Sequence, residues 1–426
     1  MNVEGLPGRR RFLRAGAGSL ASVLGLCACS RPESPSTARP GGGKPITRTL
    51  GRTGLRLPIV SMGTAYAVNL VHSALAGGVR YIHTSSSYAE RNHERLLGRV
   101  FRGRARDSFV VATSPDLPYH DDPTGIGSLD IGTTTDVRLF EESLDGSLQR
   151  LGLDGVDIYY LPSIGRRETA TYEPYLKAFE ALKKAGKARF VGVTTHGHEP
   201  EVIRAAVEAG VWDVVLTAYN FRQSHREEVR AAIQHAAGAG LGIVAMKTQA
   251  GVFWDASRTR RINMKAALKW VLQDENVHTT IPAFSNFDEL REDLSVMEDP
   301  TLTPTERKDL GLGAELGLSG LYCQQCGECR PQCPAGLDIP TLMRGYMYAA
   351  GHQQPSKARF TVSGWTRADL TCRTCDHCDV RCALGFDVRS RALQMADLLD
   401  RPGAPLGDAG LEPRASSGLS PGCTHG

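Results

Sequence analysis

Beyond its first thirty residues, the 426-residue chain has no apolar run long enough to cross a bilayer, which excludes a helical membrane domain there. It also lacks a marked excess of one charge sign. Fifty Lys and Arg stand against 46 Asp and Glu, for a net charge of +4, and no basic stripe marks a nucleic-acid partner. No G-x-G-x-x-G follows the first strand-like run, so the fingerprint of an open dinucleotide-binding sheet is missing. The 41% hydrophobic share is ordinary for a globular chain, and the length is large for one domain. Cysteine, by contrast, is plentiful, with eleven residues.

Eight of these cysteines form one pattern written twice: Cys323, Cys326, Cys329 and Cys333, then Cys372, Cys375, Cys378 and Cys382. This is the spacing of bacterial ferredoxins, in which the fourth cysteine of each run ligates the other run's cluster. Two 4Fe-4S clusters are therefore expected. One takes Cys323, Cys326, Cys329 and Cys382, and the other Cys372, Cys375, Cys378 and Cys333. Structural zinc is the alternative, but zinc cysteines usually come as separated pairs, and here a third follows each pair after two residues. A disulfide framework fits less well, because three sulfurs on one turn have no distant partners. Pro334 follows the first run as in ferredoxins, while Ala383 follows the second.

The other end of the chain reads as an address. Arg9-Arg10-Arg11-Phe12-Leu13-Arg14 resembles the twin-arginine export signal, and the apolar stretch from Ala15 to Leu26 has the length of a signal core. That route carries folded, cofactor-loaded proteins, which suits a chain whose clusters are inserted before export. Leu26-Cys27-Ala28-Cys29 resembles a lipobox, so a membrane lipid anchor is expected on Cys29; an ordinary cleaved leader with two incidental cysteines is the alternative. The expected location is periplasmic or cell-envelope. Loss of the leader brings the net charge down to about +1.

Between these ends, β-branched runs alternate with amphipathic helical patterns. Eight strands are expected, at Leu57 to Met62, Val79 to Thr84, Phe109 to Thr113, Val156 to Leu161, Ala188 to Thr195, Trp212 to Ala218, Gly242 to Met246 and Val277 to Pro282. Eight β-α units over about 240 residues predict an α/β fold, a (β/α)8 TIM barrel with its chemistry at the strand C-termini. A small, mainly helical ferredoxin-like iron-sulfur domain follows. The expected division is a twin-arginine leader over 1–30, a tether over 31–44, the barrel over 45–300, the 4Fe-4S domain over 301–400 and a disordered tail over 401–426, where Cys423 is incidental.

Particular stretches then carry a resemblance. R48-T-L-G-R-T-G-L-R-L-P58, V79-R-Y-I-H-T-S-S-S-Y88, V156-D-I-Y-Y-L161, I243-V-A-M-K-T and T280-I-P-A-F-S-N resemble the hairpin, catalytic loop and barrel strands of aldo/keto reductases. The resemblance covers roughly Ile46 to Met297 and implies NAD(P)H as a cofactor, with a tetrad in which Tyr protonates a carbonyl, Lys and Asp lower its pKa and His orients the substrate. Only the Tyr survives. Tyr88 matches the acid, but His83 stands for Asp, Ser114 for Lys and Pro162 for His. An unperturbed phenol titrates near ~10, too high for efficient proton exchange at neutral pH. His83 is either a new acid-base partner for Tyr88, titrating near neutrality, or a packed residue of a vestigial pocket.

The resemblance further implies cofactor contacts from Tyr219 and Asn220. Thr195, Ser285 and Lys247 are further candidates at the mouth, with His196 nearby; Lys247 either binds a phosphate or acidic substrate or stands as a solvated or salt-bridged rim charge. Ala283 and Glu289 replace cations that often hold a 2′-phosphate, and Leu216 replaces a carboxamide-binding Gln. The loop Pro115 to Thr134 is a lid or simply flexible. Two functions are carried forward. In one, a barrel-bound substrate or nucleotide exchanges electrons with a partner protein through the clusters. In the other, the barrel is a silent scaffold and the protein is an electron carrier or assembly partner.

Overall fold

The structure, a computed structural model, describes residues 44–89, 92–115, 117, 130–255, 257–351, 355–362, 370, 372, 374–375 and 377–400. The twin-arginine pair, Cys29, most of the tether, the mouth-loop residues Asp121, Asp122 and Pro123, and the tail with Cys423 lie outside the described residues.

A hairpin of β1 (Thr47–Thr49) and β2 (Arg56–Pro58) opens the fold. Its turn needs glycine. Gly51 has φ +48°, and a Cβ there would lie 2.5 Å from the Gly240 carbonyl oxygen and the Gly242 nitrogen. The hairpin thereby seals the barrel floor with Leu50 and Leu57.

Seven parallel strands follow in sequence order: β3 (Tyr81–His83), β4 (Val110–Thr113), β5 (Val156–Leu161), β6 (Ala188–Thr195), β7 (Val214–Ala218), β8 (Gly242–Met246) and β9 (Thr279–Thr280). The first expected strand closes the ring through parallel bridges rather than a long ladder, with Val60 paired to Thr280 and Met62 to Ile82. The eighth shrinks to two residues, because the chain turns at Pro282, which has no N–H to extend a ladder.

The helices α1 (Val68–Ala76), α2 (Asn92–Phe101), α3 (Arg138–Leu151), α4 (Arg167–Ala170), α5 (Glu173–Lys184), α6 (Glu199–Ala209), α7 (Arg226–Gly238), α8 (Met264–Leu272) and α9 (Phe287–Val296) accompany the strands. Strand alternation makes two cores. Tyr81, Ala112, Ile158, Tyr160, Leu216 and Val244 fill the barrel, whereas Ile82, Val111, Tyr159, Val193, Val215 and Ala245 pack beneath the helices.

The expected boundary at residue 300 falls before a helix that still belongs to the barrel. In α10 (Pro304–Glu315), Gly313 lies against Trp254, and Glu306 pairs with the buried Lys269 of α8 at 2.9 Å. The cysteine-bearing segment then forms its own core around Leu342, Met343, Val388, Ala392 and Met395, from α11 (Ile339–Tyr346), α12 (Pro355–Thr361) and α13 (Val388–Asp400). Among the described residues no helix is long and apolar enough to cross a membrane.

Candidate functional site

The parity of each strand decides which side chains reach the barrel mouth. His83 continues the inward series of Tyr81, and its ring meets Tyr88 edge-on at 5.9 Å and Tyr160 at 5.7 Å. Beneath it the hydroxyls of Tyr81 and Tyr160 are 3.0 Å apart. Among the described residues, the His83 Nε2 is buried without a hydrogen-bond partner. Burial first, and then neighbouring His93, pushes the imidazole down to about 3. The expectation that His83 titrates near neutrality is therefore corrected. It is a neutral imidazole on an aromatic floor.

Ser114 is buried, and its carbonyl accepts from the Ser86 backbone and hydroxyl at 3.0 and 3.2 Å. Pro162 is buried too. Neither supplies charge. Tyr88 is half-buried above this floor, beside His93, whose Nδ1 lies 2.8 Å from the Thr84 hydroxyl.

The expected cofactor contacts divide by the same parity. Thr195 and Tyr219 sit on the outer face of the sheet. The Thr195 hydroxyl donates to the Gly197 carbonyl at 2.8 Å, and Tyr219 packs its ring on Trp270 while accepting from Arg230 at 3.1 Å. Both expectations were misplaced by one residue of alternation. Asn220 spends its side-chain oxygen on the Arg222 N–H at 3.0 Å, within its own turn.

Ser285 is exposed, but its backbone N–H donates to the Glu289 carboxylate at 2.7 Å. A carboxylate thus occupies the donor beside the exposed Ala283, and these residues do not fit the 2′-phosphate on the adenosine ribose of NADPH. Lys247 does reach the mouth. Its backbone is left-handed, with φ 58°, and its ammonium lies 5.7 Å from the Tyr348 ring centre.

That contact belongs to a larger one, because the cysteine segment lies over the C-terminal ends of β6, β7 and β8. Arg330 donates to His198 Nε2 at 2.9 Å. Arg222 hydrogen-bonds the Ser319 carbonyl as well as Ala250 at 2.9 Å. Gly251 lies against Tyr322, and Arg258 donates to the Ala350 carbonyl at 3.3 Å. None of these partners was singled out from sequence. Arg330 and Tyr322 directly flank cluster-motif cysteines, and that adjacency was the one local signal available.

The eight cysteines fall into two groups drawn from both runs. Cys382 acts electrostatically on Cys323, Cys326 and Cys329, and Cys372 interacts in the same way with Cys333, Cys375 and Cys378. The second four line one cavity with Pro334, Leu337 and Val380. None of the eight is in a disulfide. Among the described residues no three His, Cys, Asp or Glu side chains converge as around a single metal ion. Burial pushes Cys323 and Cys329 up to about 12, so these thiols ionise only when a cationic group compensates. Two sets of four thiols in apolar surroundings, one visibly ringing a cavity, fit a thiolate-ligated cluster.

Comparison with known proteins agrees with both halves. Residues 50–266 match the aldo/keto reductase family, and residues 322–387 match a 4Fe-4S dicluster domain. An uncharacterised oxidoreductase of Bacillus subtilis is 26% identical over 219 residues, 47% of this chain and 66% of that protein. The L-glyceraldehyde 3-phosphate reductase of Escherichia coli is 29% identical over 168 residues, 36% of this chain and 46% of that protein. The chain thus spans between about half and two thirds of these relatives. A solved aldo-keto reductase from Bacillus halodurans superposes with a TM-score of 0.49 at 21% identity, covering 63% of this chain and 96% of that one. The chain is a member of the aldo/keto reductase family with a C-terminal 4Fe-4S domain.

Proposed function

We propose that this protein is an exported oxidoreductase in which an organic substrate at the barrel mouth exchanges electrons with a partner protein through two 4Fe-4S clusters. The observation that carries this reading is the docking of the cysteine segment on the mouth, through Arg330 to His198, Arg222 to Ser319 and Lys247 to Tyr348. Cys323, Cys326, Cys329 and Cys382 would hold one cluster and Cys333, Cys372, Cys375 and Cys378 the other, supplying single-electron chemistry. Lys247 is placed to meet an anionic group, and the Tyr88 ring edge faces a neutral His83 rather than an ion pair. Ordinary hydride transfer from NADPH to a carbonyl does not suit that pocket. A silent scaffold would need no mouth contacts from the cluster segment, so the enzyme reading is preferred.

The test uses anaerobically purified holoprotein, reduced and then mixed with quinones and other small organic oxidants. One or more should reoxidise the cluster absorbance, more slowly in Tyr88→Phe and Lys247→Ala but not in Lys308→Ala on the exposed face of α10. Equal rates in all four proteins would remove the barrel from the reaction. Export is part of the same proposal. Replacing Arg9 and Arg10 by Lys should hold the protein in the cytoplasm, and Cys29→Ala should release it from the membrane. Unchanged fractionation of both variants would end the export and anchor readings.

A further inference from the structure

Helix α13 begins between the two cysteine groups and carries two arginines, Arg389 and Arg391. Two positions on a helix are separated by roughly 200° of rotation, so one stem of backbone sends its guanidinium groups in opposite directions. Arg389 donates to the carbonyl oxygens of Cys375 and Cys372, at 2.7 and 3.3 Å. Arg391 is held between aromatic faces, its guanidinium carbon 3.9 Å from the Phe386 ring centre and 4.8 Å from that of Tyr346. Its charge acts on Cys323 and Cys382, and the carboxylate that acts on it belongs to Asp387 at the head of its own helix.

Burying a cation is costly unless an anion compensates. Aromatic faces recover only part of that cost. The matching negative charge for Arg391 is a thiolate-ligated cluster at Cys323, Cys326, Cys329 and Cys382. A fixed positive charge beside such a group favours its reduced, more negative form and raises its reduction potential. Arg389 places its charge beside the other four cysteines through the carbonyls of Cys372 and Cys375.

We infer that α13 assigns one arginine to each cluster, with Arg391 tuning the potential of the Cys323 set and Arg389 that of the Cys372 set. The two act as positioning residues. The inference rests on the cysteines holding two clusters, and the test separates the two ideas. Redox titration of the full-length holoprotein is followed by electron paramagnetic resonance, with the two signals assigned by Cys323→Ser and Cys372→Ser. Arg391→Gln should lower the midpoint of the Cys323-set signal alone, Arg389→Gln that of the other alone, and Arg391→Lys should recover most of the loss.

Unmoved midpoints, equal shifts of both signals in each variant, or an Arg391→Lys midpoint as low as that of Arg391→Gln would overturn the inference. Should Arg391→Gln fail to retain iron, Arg391→Lys decides: a small fall in the Cys323-set signal alone supports it, and iron loss matching that of Arg391→Gln overturns it. Wild-type protein without two cluster signals would instead defeat the functional reading itself, and this inference with it.

Discussion

The barrel pocket and the cysteine segment treat charge in opposite ways. In the pocket His83, Ser114 and Pro162 are buried without charge, and Lys247 faces a tyrosine ring of the docked segment. The cysteine segment keeps every thiol in register and places arginines beside both groups. An acid-base site depends on a few charges held by distant strands, and a cluster site on local spacing.

The largest effect that would sharpen this contrast concerns iron. The holoprotein should carry about eight irons, and Cys333→Ser should lose about half, taking the cluster of Cys372, Cys375 and Cys378 rather than its own run's. Iron analysis together with the surviving resonance signal checks it, and loss of the Cys323-set signal instead would show the pairing to be wrong.

A second test removes charge where the barrel has kept it. Glu94 of α2 is fully buried, accepting from Arg150 at 2.6 Å and from the Thr113 hydroxyl at 2.7 Å. Arg150→Ala should cost about 3 kcal/mol or more by stranding the carboxylate, read as a large drop in melting temperature. An unchanged melting temperature would show that the barrel no longer depends on that pair.

The smallest effect is in acid. His83 and His93 are pushed by burial to about 3 and about 4, below their unfolded value of 6.5. The unfolded chain takes up protons that the native pocket refuses. Their contribution is complete above pH 6.5 and falls with pH at ~1.4 kcal/mol per unit for each group. Asp130 works the other way: burial raises it from 3.8 to about 6, so its contribution is lost as pH rises through that window. His83→Phe should therefore raise stability at pH 5 by about 2 kcal/mol relative to wild type and leave it nearly unaltered at pH 8, measured by denaturant titration at both values.

The strands were legible because alternation and β-branched runs are local, and β5, β6 and β8 fall where their patterns begin and end. The direction of a side chain at a strand end was legible too, although strand ends alone misassigned Thr195 and Tyr219. Counting by twos from Val193 and Val215 puts both beneath the helices. The depressed His83 could not be read, since its cause is burial against residues distant in sequence, such as Tyr160. The docking of Arg330 on His198 joins positions 132 residues apart, and no periodicity encodes that distance.

The central claim is that the pocket has given up NADPH-dependent acid-base reduction while the protein keeps its redox centres. Steady-state turnover of simple aldehydes and quinones with NADPH, in wild type and Tyr88→Phe, addresses it directly. Positioned acid-base catalysis is worth a factor of ~10² to 10⁴, and with His83 neutral and Glu289 occupying the Ser285 N–H, both proteins should give the same near-background rate. Robust wild-type turnover that disappears in Tyr88→Phe would contradict the account.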